Sequence, residues 1–159
     1  METEALVDAV RDYLDTDDWH YDYVAEHAFI RAGVSLRCKL KNARLIIQFR
    51  RSDYNVYMIS PLNADPDNIV EVLRYSSLAN YGLANGNFEV DVHDGEIRYK
   101  SYVNCDAYET LPKEIIRNSI NVCWAMMERY GDGFAALAMG FSDAETEIKK
   151  AEAPKSEDS

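Results

Sequence analysis

The chain is poor in the residues from which familiar catalytic sites are built. Its 159 residues include three cysteines and three histidines. Cys38, Cys105 and Cys123 form no Cys-x-x-Cys pair, and their odd number and irregular spacing point to reduced thiols. His20, His27 and His93 fall in neither a helical His-x-x-x-His nor a His-Glu-x-x-His pattern, which removes the usual zinc signatures. There is no Gly-x-Ser-x-Gly nucleophile turn and no glycine-rich phosphate or dinucleotide loop. The run Asp15-Thr-Asp-Asp18 lacks the glycine and terminal glutamate of an EF-hand, so it reads as a solvated helix end. No catalytic residue, metal ligand or cofactor is assigned, and the chain reads as non-enzymatic.

Basic charge is also scarce. Lys and Arg number 17 against 28 Asp and Glu, for a formal net charge of -11. Nucleic-acid binders neutralise phosphates with cations, so this balance argues against that class. No apolar run approaches the ~20 residues that span a bilayer, and the opening Met-Glu-Thr-Glu has no apolar leader, so a cytoplasmic protein is expected. What the chain does have is core: 47% hydrophobic residues, including eleven tyrosines.

Residues 4–15 read as a helix with Leu6, Val10, Tyr13 and Leu14 on one face. Residues 19–60 read as an antiparallel meander of four strands. A turn at Glu26-His27 pairs Tyr23 with Ile30 and Asp22 with Arg31. The next strand alternates from Ile30 through Leu36 and Cys38 to Leu40, with Arg31, Arg37, Lys39 and Lys41 on its other side. A turn at Asn42-Ala43 then sets Leu40 opposite Leu45, Cys38 opposite Ile47 and Leu36 opposite Phe49. Val56 to Ser60 makes the fourth strand.

Asp65-Pro66-Asp67 opens a second helix that runs to Asn80 and beyond. A hairpin follows. A two-residue Asp94-Gly95 turn would place Val92 opposite Ile97, Asp91 opposite Arg98, Val90 opposite Tyr99 and Glu89 opposite Lys100. Pro112 marks another helix, with Ile116, Ile120, Cys123 and Met127 in its stripe. Gly131-Asp132-Gly133 is expected to break it before a short helix from Phe134 to Met139. The order is α-ββββ-α-ββ-αα: an α+β fold, an antiparallel meander sheet plus a β-hairpin packed against helices. Residues 1–141 are expected to form one domain, and 142–159 a polar tail, partly helical or disordered.

The segment Asn80, Gly86-Asn-Phe88, Asp91 and Gly95-Glu-Ile97-Arg98-Tyr99 resembles the YbjN family of bacterial sensory transduction regulators. The likeness runs from the first helix to about Phe141. It implies a fold similar to type III secretion chaperones, small α+β domains that dimerise and hold segments of other proteins. It also implies a cytoplasmic protein working through protein contacts, without catalytic residues or a cofactor. Asn80, Gly86, Phe88, Asp91 and Gly95 are its motif positions, with mainly structural roles.

One stretch stands apart from the acidic background. Between Ala28 and Ser52 there are seven basic residues and no acidic ones. Arg31, Arg37, Lys39, Lys41 and Arg44 form either an ordinary solvated sheet face or a basic face that binds an acidic segment, of a partner or of the chain's own N-terminus. The leading reading is therefore a chaperone-like or regulatory interaction protein acting as a homodimer. The alternative is a small-ligand or cation sensor with a pocket between sheet and helices, using Asn80, His93 and tyrosines.

Overall fold

Leu6, Val7, Val10, Tyr13 and Leu14 recur at helical spacing, and α1 (Thr3–Thr16) buries all five. The structure is a computed structural model and describes residues 1–154. Four strands follow: β1 (Tyr21–Val24), β2 (Phe29–Ser35), β3 (Asn42–Phe49) and β4 (Asp53–Ile59). Then come α2 (Ile69–Asn80), β5 (Asn87–Val90), β6 (Ile97–Asn104), α3 (Lys113–Ala138) and α4 (Ala144–Glu152). The element order is the expected one. All six strands join one antiparallel sheet in the order β1-β2-β3-β4-β6-β5.

The two faces of the sheet differ. On one, Ile30, Leu45, Ile47, Val56, Met58 and Tyr99 are fully buried beneath α1 and α3. Tyr54 meets Ser119 of α3 through their hydroxyls at 3.1 Å. At the far end an aromatic cluster closes the core. The Phe88 ring lies 4.8 Å from both Tyr99 and Phe134 and 5.4 Å from Tyr130, as ring centroids. The opposite face carries Phe29, Arg31, Arg44, Ile46, Tyr57 and Arg98, and among the described residues no helix crosses it.

The β1–β2 hairpin has the expected register, with Asp22 opposite Arg31 and Tyr23 opposite Ile30. The β2–β3 register differs. β2 stops at Ser35, and Ile30 rather than Cys38 lies opposite Ile47. The alternation from Leu36 to Lys41 is real, but it belongs to a loop. Leu36, Cys38 and Leu40 are buried, because Glu128 and Asp132 of α3 grip the loop's peptide N–H groups at Arg37 (2.6 Å) and Lys39 (2.7 Å).

The β5–β6 register differs by two residues, which keeps the paired side chains on their expected faces but moves Val92 out of the sheet into solvent. Glu89 lies opposite Arg98 and Val90 opposite Ile97, while Asp91 to Glu96 form a longer loop. Asp91 therefore is not the cross-strand partner of Arg98. Its carboxylate accepts the His93 N–H at 2.8 Å, and its carbonyl accepts that of Gly95 at 2.8 Å. The Gly95 carbonyl in turn takes the Ala64 N–H at 2.8 Å, so the wider loop is held by a neighbouring segment.

Gly131 and Gly133 do not break a helix; α3 runs through both. They supply space instead. A Cβ on Gly131 would lie 2.7 Å from the Cys38 sulfur, and one on Gly133 would lie 2.2 Å from the Tyr75 hydroxyl. The final helix of the order is α4, further along the chain. Asp143 caps it through the Thr146 N–H at 2.9 Å, and Ala144 and Ile148 are buried against α2 and α3. The rest of the expected tail, residues 155–159, lies outside the described residues.

Candidate interaction surface

The motif positions lie where the second helix meets the last hairpin. Asn80 ends α2, and its side chain clamps one residue of β5. Its Oδ1 accepts the Phe88 N–H at 2.7 Å, and its Nδ2 donates to the Phe88 carbonyl at 3.0 Å. Phe88 is buried in the aromatic cluster. Gly86 has φ +75°, and a Cβ there would meet the Lys100 carbonyl at 2.3 Å. Gly95 has φ +77°, with the Ala64 carbonyl in the same position at 2.2 Å. These groups have partners within the fold.

The basic residues divide into two sets. Arg31 and Arg44 lie together on the uncovered face and line one groove. Arg31 pairs with Asp22 at 3.1 Å, and Arg44 reaches Glu96 at 3.9 Å. Arg37, Lys39 and Lys41 sit on the loop that packs against α3, not on a strand with the other two. Arg37 lies over the Trp124 ring at 5.6 Å, and Lys41 takes a left-handed φ of 67° at the turn.

The groove has a volume of about 1430 Å³ and wraps around the start of β1. Arg11 and Asp15 of α1, Trp19 and Tyr21 form one side; Gly33, Arg44 and Ile59 form the other. Its floor has an unusual backbone feature. Alternate residues of an antiparallel strand point their peptide groups at opposite neighbours. The Leu36 N–H bonds the Lys41 carbonyl and the Phe49 N–H bonds that of Ala28, so the even-numbered residues of β2 face β3. The odd-numbered ones face β1, where Phe29 and Arg31 meet Val24 and Asp22. The last pair is Tyr21 with Ala32, yet β2 continues to Ser35. Gly33 and Ser35 thus face an edge without a strand. Trp124 Nε1 reaches the Ser35 carbonyl at 3.3 Å, and a Cβ on Gly33 would meet nothing within 4 Å.

Burial pushes the Cys105 thiol up to about 11 and the Cys123 thiol up to about 12, so neither supplies a thiolate near neutral pH. His93 is exposed, 3.0 Å from Asp91. His27 stacks on Phe29, and His20 lines the groove. Among the described residues, no three His, Cys, Asp or Glu side chains converge as metal ligands would. No described helix is long and apolar enough to cross a membrane. The groove has little signature in the sequence. Its one signal was Gly33 inside an alternating strand, which marks an open or closely approached backbone.

The architecture belongs to a known class: it is a YbjN-like, chaperone-like α+β fold. Two solved structures carry this. One is YbjN of E. coli, described as a candidate transcription regulator. It superposes with a TM-score of 0.61 at 9% identity, over 84% of this chain and 93% of that one. The other is the HopA1-SchA chaperone–effector complex, with a TM-score of 0.55 at 10% identity, over 84% of this chain and 98% of the matched chain. No family model matches the sequence, and no curated protein does. At such identities the likeness is one of fold.

Proposed function

We propose that this is a non-enzymatic, chaperone-like binding protein that holds an extended segment of a partner protein along the open edge of β2. The β2 backbone at Gly33, which lines the groove beyond the last Tyr21–Ala32 pair and has no strand residue opposite it, carries the reading. An extended peptide added there would gain main-chain hydrogen bonds from β2, and its alternate side chains would fall on opposite walls. One wall offers Trp19 and Tyr21, the other Arg31 and Arg44. The preferred segment therefore alternates apolar and acidic residues. A fold neighbour seen in a chaperone–effector complex supports a binding role.

The reading includes a homodimer and a cytoplasmic site of action. The uncovered sheet face, with Phe29, Ile46 and Tyr57 half-buried, is the surface a second copy would cover. Buried, unpaired cysteines suit a reducing compartment.

The test uses Gly33→Pro. Proline removes an N–H that β3 does not use, so folding is expected to be retained. Peptides selected on the wild-type protein from a display library should bind the variant at least about tenfold more weakly. Equal affinity would sink strand addition. Sedimentation as a monomer at every concentration would remove the homodimer.

A further inference from the structure

A second concavity, of about 550 Å³, opens on the helical side of the molecule and shares no lining residue with the groove beside β1. It lies where α3 and α4 meet the loops on either side of β3 and β4. Leu62, Met139 and Phe141 give it an apolar wall. Met139 is 56% exposed and Phe141 76%, so two large apolar side chains face water beside one pocket.

The lining also includes three cations, Lys39, Arg129 and Lys150. Its two acids are already engaged. Glu147, 5% exposed, accepts from Ser142 at 2.7 Å and from Lys150 at 2.8 Å. Asp132 accepts the Lys39 peptide N–H at 2.7 Å. Among the described residues, the Lys39 ammonium and the Arg129 guanidinium have no carboxylate within 4.0 Å. Arg129 Nε donates to the Ala151 carbonyl at 3.1 Å, which ties the guanidinium to the end of α4. Three cations against two carboxylates give the pocket a local excess of positive charge in a chain of net charge -11.

We propose that this pocket binds a monomeric medium-chain carboxylate, its head between Lys39 and Arg129 and its chain along Leu62, Met139 and Phe141. A simple inorganic anion would leave the apolar wall wet, and a neutral hydrocarbon would leave the cations unused. A membrane surface is disfavoured, because anionic lipid would repel the rest of the chain. The volume falls within the few hundred to about 1,000 Å³ usual for small-ligand sites. Arginine's fork suits a carboxylate head.

The experiment titrates decanoate, below its micelle concentration, into the full-length protein, followed by calorimetry and backbone amide shifts. Saturable binding is expected, with shifts centred on Lys39 and on Met139 to Ser142. Decanol and decyltrimethylammonium should bind at least about tenfold more weakly. Lys39→Glu and Phe141→Ser alter exposed side chains, so both should melt like the wild type while binding decanoate about tenfold more weakly. Decanol binding as tightly as decanoate would overturn the proposal. So would the absence of saturable binding, unaltered affinity in both variants, or attachment to phosphatidylglycerol vesicles without decanoate binding. Gly33→Pro should leave this titration unchanged, which keeps it independent of the strand-addition reading.

Discussion

The two edge strands of the sheet are equally short, yet one is closed and the other open. β1 and β5 each have four residues. β5 is tied down from three directions. Asn80 clamps its backbone, Phe88 enters the aromatic cluster, and Glu89 bonds both Arg98 and Lys100 of β6. β1 has fewer such ties. Its neighbour outruns it by the stretch Gly33–Ser35, and its charge pair, Asp22 with Arg31, lies in solvent. Edge length alone therefore does not set availability. What differs is how much of the adjoining chain is tied into the fold: the Asn80–Phe88 segment is clamped, while Gly33 lies beside the groove with no strand residue opposite it.

The largest expected effect tests the closed end. Phe88→Ala removes a fully packed ring and should cost about 3–5 kcal/mol in denaturant unfolding. A loss below ~1 kcal/mol would mean that the aromatic cluster does not close this end. Next is Glu89→Gln. Burial pushes the Glu89 carboxyl up, but its bonds from Lys100 and Arg98 outweigh this and hold it below the ordinary carboxylate range. A lowered folded pKa gives stability that is present above the unfolded value, and it is lost as pH falls through the folded value. At neutral pH the variant should be less stable by about 1 kcal/mol, discounted for partial exposure. The gap should close on acidification below the usual glutamate range. A gap that persists at low pH would assign the effect to packing.

The smallest effect lies at the open end. Arg31→Ala breaks an exposed pair and should change stability by no more than about 0.5 kcal/mol. The same change should weaken binding of the selected acidic peptides several-fold in a direct titration. Destabilisation without a change in binding would make Arg31 a structural residue and erase the contrast between the two edges.

Local signals were legible where partners are close in sequence. The turn at Glu26-His27 and the Asp22–Arg31 charge match specify the first hairpin, and its register agrees with them. The last hairpin is two residues wider than its turn signal predicts. Asp94-Gly95 is a good turn by itself, but contact with Ala64, some thirty residues earlier, holds the loop wider. The alternation at Leu36, Cys38 and Leu40 read as strand because period-two burial is the strand signature. The partner is α3, about 90 residues away, and its carboxylates hold that alternation as a loop. Because the loop leaves the sheet at Ser35, the five basic residues do not share one strand face. The free edge of β2 was invisible for the same reason, since it depends on where a neighbouring strand stops.

The amino-acid sequence by itself determined the element order, the apolar face of each strand, the acidic surface and the absence of familiar catalytic motifs. These follow from periodicity, charge and turn chemistry, which act over a few residues. Tertiary structure decided which alternating segment became strand and which became loop. It also decided that Gly131 and Gly133 make room for Cys38 and Tyr75 instead of ending α3. It left the β2 edge open and brought Lys39 to Arg129 beside an apolar wall. Each of these outcomes depends on contacts between distant parts of the chain, which local pattern does not encode.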